Sequence, residues 1–342
     1  MMTILASVFV FGLVVLVHEL GHFVTAKAVG MRVDEFAIGF GPKVIQFRKG
    51  ETLYSWRAIP LGGFNKIAGM DPDEPQDERS FQQKSLAARM LVILAGSLMN
   101  LLLPVLLFSA VFISSGISTP TDMPIVGTVL PGRPAAVAGM QTGDKIERID
   151  GQAIASWNQF VNVIKVSSGK ILLVEGVREG QAFQLQVIPE YDEKADKGIV
   201  GVMPQMDRYQ PGVIESVGLA GKQTYLVTAE MSVGLWKMVT RQVSAEVAGP
   251  IGVAQMAGEV AQLGFLPLLQ FAAFLSINLG IINLLPVPML DGGHVLTLLV
   301  EGVRGRPLER QRQQFIQTIG FILLILLFLI ATFKDVSRLK LF

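Results

Sequence analysis

Cysteine is absent from this chain of 342 residues, and histidine occurs only three times. The missing thiols exclude disulfide bonds and thiolate metal sites, so any transition-metal site must be built from His, Asp or Glu. The net charge is only +1, so no bulk charge points to a nucleic-acid partner. Hydrophobic residues make up 51% of the chain, which is too apolar for a soluble protein of this size. Membrane spans explain this composition best.

Four segments are long and apolar enough to cross a bilayer. They run from Thr3 to Ala28, from about Ala87 to Ser114, from Phe265 through Ile282, and from Ile316 to Thr332. Each has roughly 17–28 residues, which suits a hydrocarbon core about 30 Å thick. The first segment has no basic region before it and no small-residue cleavage site, so we interpret it as a retained helix. The sequence predicts a polytopic α-helical membrane protein with about four transmembrane helices.

Basic residues predict the orientation, because short cytoplasmic connections carry an excess of Lys and Arg. Ten such residues occur in the stretch from Lys27 to Arg89, both included, and four arginines lie in the link between the last two spans. Both connections should therefore be cytoplasmic. The N-terminus, the region from Ser115 to Gly264 and the C-terminus then lie outside the cytoplasm.

The connections also contain structure of their own. The first predicts a β-hairpin at 43–59, since hydrophobic residues alternate on both sides of a turn. Short strands and tight turns predict a small inserted α+β domain at 115–192. The region 193–264 has an amphipathic helical pattern, and both a surface-lying helix and a core-packed helix fit it. An N-terminal membrane core (1–114) and a C-terminal membrane core (265–342) complete the chain.

The first apolar segment contains two of the three histidines, four residues apart, in the stretch 17–22, which reads Val-His-Glu-Leu-Gly-His. Residues four apart share one face of a helix, so His18 and His22 can bind one metal ion. Glu19 can act as a general base on a water whose pKa zinc lowers toward about 7. HExxH is the signature of zinc-dependent hydrolases, and ionisable groups at membrane depth are costly unless they function. The motif therefore indicates a hydrolase with Zn²⁺ as its cofactor.

A catalytic zinc ion usually takes three protein ligands and leaves one position for water. Asp291 is the best candidate for the third ligand, because it follows two prolines that interrupt the third apolar segment. Irregular backbone at membrane depth is tolerated only where protein or a water cavity satisfies it. Two alternatives stay open. Asp291 can instead cap a helix, and His294 can be the ligand or a structural histidine.

Four further residues are candidates for binding the substrate or its oxyanion. Three of them, Asn100, Asn278 and Asn283, lie in apolar segments. Each of these amides can orient substrate, or it can only hydrogen-bond across helices. The fourth candidate is Tyr54 in the predicted hairpin.

The HExxH stretch together with Leu-Asp-Gly at 290–292 resembles the site-2 protease family of intramembrane zinc metalloproteases. The domain at 115–192 is similar to a single bacterial PDZ domain. The family's Gly-Pro on the second span is here Gly96-Ser97, so the proline is missing. Four other stretches are similar to the bacterial regulator-of-sigma-E-protease branch: Phe-Gly-Pro at 40–42, Ile-Pro-Leu-Gly-Gly-Phe at 59–64, Gly-Pro-Ile-Gly at 249–252 and Asn-Leu-Leu-Pro-Val-Pro at 283–288.

The resemblance implies Zn²⁺ held by His18, His22 and Asp291, with Glu19 as catalytic base. It implies cleavage within or beside the transmembrane segment of single-span membrane proteins, such as anti-sigma factors or remnant signal peptides, in the bacterial cytoplasmic (inner) membrane. The hairpin at 43–59 resembles a membrane-associated β-element that pairs with an unwound substrate strand. The alternative is a non-catalytic PDZ scaffold that binds exported chains. Glu19 argues against this alternative, because a binding protein needs no base.

Overall fold

The computed structural model describes residues 1–70, 74–193, 196–243, 249–306 and 308–338. The helices are α1 (Met2–Ala28), α2 (Leu86–Ser115), α3 (Pro134–Val137), α4 (Trp157–Lys165), α5 (Val213–Val239), α6 (Pro250–Gln262), α7 (Phe265–Leu284), α8 (Asp291–Arg304) and α9 (Arg310–Arg338). The strands are β1 (Val33–Lys49), β2 (Thr52–Ile67), β3 (Ile117–Pro120), β4 (Val126–Val129), β5 (Lys145–Ile149), β6 (Gln152–Ala153), β7 (Leu172–Arg178), β8 (Gln181–Val187), β9 (Glu190–Asp192), β10 (Lys197–Ile199), β11 (Val202–Pro204) and β12 (Met206–Tyr209).

Among the described residues, four helices are long and apolar enough to cross a membrane. They comprise Met2–Ala28, Leu86–Ser115, Phe265–Leu284 and Gln311–Ser337, which correspond to α1, α2, α7 and most of α9. A helix satisfies its own backbone hydrogen bonds, so long apolar sequences of this kind are stable in lipid. The predicted helical membrane fold is confirmed.

The chain divides into two compact units, and the first joins Met1–Ser115 to Gly212–Phe342. Its core lies where α1, α2, α5, α6 and α7 meet, and Ala220 of α5 and Ala257 of α6 are fully buried there. Small side chains allow such helices to approach closely. Of the two interpretations of the amphipathic region, the structure therefore favours core-packed helices.

The hairpin of β1 and β2 is longer than the predicted 43–59. A two-residue turn joins the strands, and Gly50 takes a left-handed φ of 63° in it. β2 continues to Ile67, and its last residues pair with the first half of β1. The bend that allows this second pairing contains Gly62, whose φ of 100° favours glycine. The alternation pattern missed the second pairing because a glycine-containing bend interrupts it.

The hairpin turn is anchored to the C-terminal end of α1. Arg79 donates two hydrogen bonds of 2.6 and 2.8 Å to the carboxylate of Glu51, and Lys27 of α1 pairs with the same group. Hydrogen bonds from Arg79 first and Lys27 second lower the pKa of Glu51 to about 2. The carboxylate therefore stays ionised at neutral pH and ties the turn to the helix.

The second unit is Gly116–Pro211, which contains a four-stranded antiparallel sheet in the order β6-β5-β7-β8. Ile146, Phe160 and Val174 are fully or almost fully buried in its core. β12 pairs with β3, so the unit extends to Pro211, whereas the predicted boundary was at 192. The strands β11 and β12 have only three and four residues, too few for a recognisable alternation.

Asp335 near the end of α9 holds this helix against α6. Its two carboxylate oxygens accept hydrogen bonds from the backbone N–H groups of Gly249 and Gly252, each 2.9 Å long. Donors at the start of a helix have no partner within the helix, so a carboxylate from a neighbouring helix is a favourable acceptor. A Cβ on Gly249 would lie 2.4 Å from the Asp335 carboxylate, so only glycine permits this contact.

Replacing Asp335 by alanine should destabilise the first unit, because two donors lose a charged acceptor. One hydrogen bond to a charged group contributes about 1.5–3 kcal/mol. Unfolding of the full chain in detergent, followed by far-UV circular dichroism, measures the loss. Lys334→Ala is the matched control, since its side chain is the exposed neighbour on the same helix. Equal stability of the two variants would contradict this role for Asp335.

Candidate metal centre

Helices α1 and α8 bring His18, His22 and Asp291 together. The Nε2 atoms of the two histidines are 3.2 Å apart. His18 Nε2 lies 3.5 Å from Asp291 Oδ2, and His22 Nε2 lies 3.6 Å from Asp291 Oδ1. Two donors at about 2.0–2.1 Å from a tetrahedral zinc ion would be about 3.3 Å apart. The three observed separations match this spacing, and all three residues are largely buried.

The hydrogen bonding of His22 is also consistent with a cation beside its Nε2 atom. Its Nδ1 lies 2.8 Å from the carbonyl oxygen of Val92, which can only accept, so Nδ1 carries the proton. In a neutral imidazole with this tautomer, the lone pair is on Nε2 of His22, which faces the Asp291 carboxylate and Nε2 of His18. Such electron-rich atoms repel one another unless a positive charge lies among them. The donor set therefore fits a divalent metal ion.

Asn100 of α2 is fully buried beside His18. Its side-chain amide lies 3.3 Å from His18 Nδ1, and its Oδ1 has no hydrogen-bond partner among the described residues. Rotating the amide by 180° presents this oxygen to an Nδ1–H group, which leaves Nε2 of His18 for a metal. This position favours hydrogen bonding across helices over direct contact with substrate.

Asp291 does not occupy the cap position of α8. The N-cap is Leu290, and Asp291 is the first residue of the helix. Its Oδ2 instead accepts a 3.0 Å hydrogen bond from Ser97 Oγ. A Cβ on Gly292 or Gly293 would lie within 2.3 Å of a backbone carbonyl oxygen of the preceding turn. The two glycines thus allow α8 to begin against that turn and point Asp291 at the histidines.

Gly96 allows α2 to lie directly against both imidazole rings. A Cβ at this position would lie 2.3 Å from His22 Nε2 and 2.8 Å from His18 Cε1. On the facing helix, a Cβ on Gly21 would lie 2.4 Å from the carbonyl oxygen of Ala95. Because these two side chains are missing, the backbones of α1 and α2 approach closely at the level of the candidate metal ligands.

Glu19 lies beside the three candidate ligands and is held by the hairpin. Asn65 of β2 donates from Nδ2 to Glu19 Oε2 and to the Glu19 carbonyl oxygen, both at 2.7 Å. A Cβ on Gly63 would lie 2.7 Å from the carbonyl oxygen of Ala37 and 3.3 Å from Glu19 Cγ, so glycine lets β2 lie close to both β1 and Glu19. Asn65 was not predicted. The one available signal was its place directly after the Gly-Gly-Phe motif at 62–64.

A cavity of about 360 Å³ opens at these residues, large enough for several water molecules or a short stretch of peptide. Asn283 and His294 also line it. Among the described residues, His294 lies outside the group of three whose ligand atoms are within 4.8 Å of one another. The structure thus favours a structural role for His294 over a ligand role.

The chain matches the model of Peptidase family M50 over residues 6–327. It belongs to Peptidase family M50. Zinc metalloprotease RasP of Geobacillus kaustophilus is 33% identical, and the match covers 98% of both chains. Regulator of sigma-W protease RasP of Bacillus subtilis is 31% identical, and the match covers 98% of this chain and 99% of that relative.

Part of this M50 peptidase also matches solved structures. The PDZ domain of the SdrC-like protein from Listeria monocytogenes is 22% identical with a TM-score of 0.23, and the match covers 26% of this chain and 93% of that domain. The M50 peptidase is a helical membrane protein, and a compact unit with a four-stranded antiparallel sheet is inserted between its second apolar helix and α5.

The remaining candidates take different positions. Asn283 lines the cavity, whereas Asn278 is half-buried on α7 and is not among the described residues that line it. Tyr54 packs with three phenylalanine rings at centroid distances of 5.1 to 6.2 Å. This packing gives Tyr54 a part in holding the hairpin to α1. Substrate binding by Asn278, Asn283 and Tyr54 stays a prediction.

Substituting Gly96 by alanine should weaken metal binding, because the new methyl group would displace both imidazoles. Over-packing of this kind costs about 1–3 kcal/mol, so metal affinity should fall by about tenfold or more. Titration of the purified full chain with Co²⁺ measures the change. Gly12→Ala is the control, because a Cβ at Gly12 of α1 would meet no atom within 4 Å. Unchanged affinity in the Gly96 variant would refute the close contact.

Proposed function

We propose that this M50 zinc metalloprotease hydrolyses peptide bonds within or next to the transmembrane segment of single-span membrane proteins. Anti-sigma factors and remnant signal peptides are the proposed substrates, in regulated intramembrane proteolysis. One observation carries the proposal: His18, His22 and Asp291 face one another, beside Glu19, against helices long and apolar enough to span a membrane. The name of the B. subtilis relative refers to sigma-W, which supports an anti-sigma substrate.

The residues of the site have separate roles in this reaction. His18, His22 and Asp291 would hold one zinc ion, which supplies the Lewis acidity that polarises a scissile carbonyl and acidifies water. Glu19 accepts a proton from the attacking water and returns it to the nitrogen of the leaving amine. Asn65 fixes the orientation of Glu19 by its hydrogen bond to Oε2.

The outer half of β1, at 40–49, supports capture of the substrate as an extended strand. All ten of its residues are exposed, and among the described strands it pairs on one side only, with β2. A transmembrane helix must unwind before its peptide bonds can be hydrolysed. An unpaired strand edge offers backbone hydrogen bonds to such an unwound segment.

The proposed location is the bacterial cytoplasmic (inner) membrane, with the lipid bilayer around the four spans. Both termini and the PDZ-like domain would be extracytoplasmic. The basic connections at 27–89 and 304–312 support this orientation, because Lys and Arg accumulate on the cytoplasmic side. The helix end that bears His18 and His22 would then lie toward the cytoplasm.

Glu19→Gln should abolish cleavage of a single-span membrane substrate and retain zinc, because the amide cannot accept the proton. His22→Ala should lose the zinc as well. Cleavage in proteoliposomes and the zinc content of the same preparations, determined by elemental analysis, measure the two effects separately. Full activity of Glu19→Gln would refute its role as base. A wild-type protein without stoichiometric zinc would favour the non-catalytic PDZ scaffold.

Asn65→Ala should leave the zinc content unchanged and lower the cleavage rate by about tenfold or more, since the base loses the group that orients it. The comparison uses the same proteoliposome assay. Lys66→Ala is the matched control, because Lys66 is the exposed neighbour of Asn65 on β2. Equal rates for the Asn65 and Lys66 variants would show that this hydrogen bond does not act on the base.

A further inference from the structure

Ser97 of α2 contacts the third candidate ligand directly. Its Oγ donates a 3.0 Å hydrogen bond to Asp291 Oδ2, and its side chain is completely buried. We propose that Ser97 is a positioning residue that fixes the Asp291 carboxylate for metal binding. The inference rests on the metal site of the proposed function and adds a residue to which no role in that site has been assigned.

The hydrogen bond restrains the one rotation on which the third ligand depends. Rotation about the Cβ–Cγ bond of Asp291 would move both carboxylate oxygens relative to the histidines. Oδ2, which Ser97 holds, lies 3.5 Å from His18 Nε2, and Oδ1 lies 3.6 Å from His22 Nε2. Holding one oxygen therefore sets both separations. Hydrogen bonds to metal ligands typically change metal affinity or activity by about 10–100-fold.

The surroundings of Ser97 make this hydrogen bond effective. Gly96, its neighbour, lies against both imidazoles, and Asn100 lies beside His18. One turn of α2 thus contacts all three candidate ligands. The fully buried position keeps water from competing for the hydroxyl.

Zinc affinity of the full chain in detergent, measured by competition with a chromogenic chelator, tests the proposal. Ser97→Ala should bind zinc about tenfold or more weakly. Ser97→Thr keeps the hydroxyl, whereas Ser97→Val adds the same volume without it, so the threonine variant should bind zinc about tenfold or more tightly than the valine variant. The threonine and valine variants separate the effect of the hydroxyl group from the effect of side-chain volume. They also keep the proposal testable if Ser97→Ala does not fold.

Ser109→Ala is the matched control, because Ser109 is a buried serine of the same helix that donates to the carbonyl oxygen of Val105. It should bind zinc as the wild type does. The visible absorption bands of the Co²⁺-loaded protein give a second readout. They should shift in the alanine and valine variants of Ser97 and persist in the threonine variant, because they report the ligand geometry.

The possible failures are distinguishable. If wild type, Ser97→Ala and Ser97→Val bind zinc equally and share one Co²⁺ spectrum, Ser97 does not position Asp291. Equal losses for the threonine and valine variants would also overturn the role, because volume would then explain the effect. Absence of tight zinc binding in the wild type would overturn the metal site and this role together.

Discussion

The burial of polar groups among apolar helices is the constraint on which the rest of this structure depends. Two imidazoles and two carboxylates lie in or against helices that are apolar enough to span the hydrocarbon core of a membrane. Such groups are costly to insert unless they satisfy one another or bind a metal. Here each has a polar partner: Val92 and Asn100 at the histidines, Ser97 at Asp291 and Asn65 at Glu19. The site is therefore a connected network in which each member makes the burial of the others tolerable.

Close helix packing follows from that network. Short side chains on different helices reach one metal ion only if the backbones approach closely. Glycines provide this approach at Gly21 between α1 and α2, at Gly96 against the imidazoles, and at the start of α8. At each of these positions a Cβ would overlap backbone or ring atoms. These glycines thus allow the candidate ligands to converge on one position for a metal ion.

The hairpin links the proposed substrate-binding edge to the proposed catalytic base. Its outer segment at 40–49 presents the edge proposed to bind an extended substrate, and its returning segment supplies Asn65 to Glu19. One element therefore carries both the proposed substrate edge and the side chain that orients the base. The ion pairs of Glu51 tie the same element to the end of α1, which also bears the histidines.

The sequence by itself determined the spans, the hairpin in outline, and the histidine pair, because each follows from periodicity within one segment. It also singled out Asp291, since a carboxylate beside two prolines has few other uses in a membrane. Only the tertiary structure decided what surrounds these residues. Asn65 donates a hydrogen bond to Glu19 although 46 positions of sequence separate them, and Ser97 donates one to Asp291 over a separation of 194 positions. Contacts at such separations depend on how helices and strands pack, and no local pattern of residues specifies that packing.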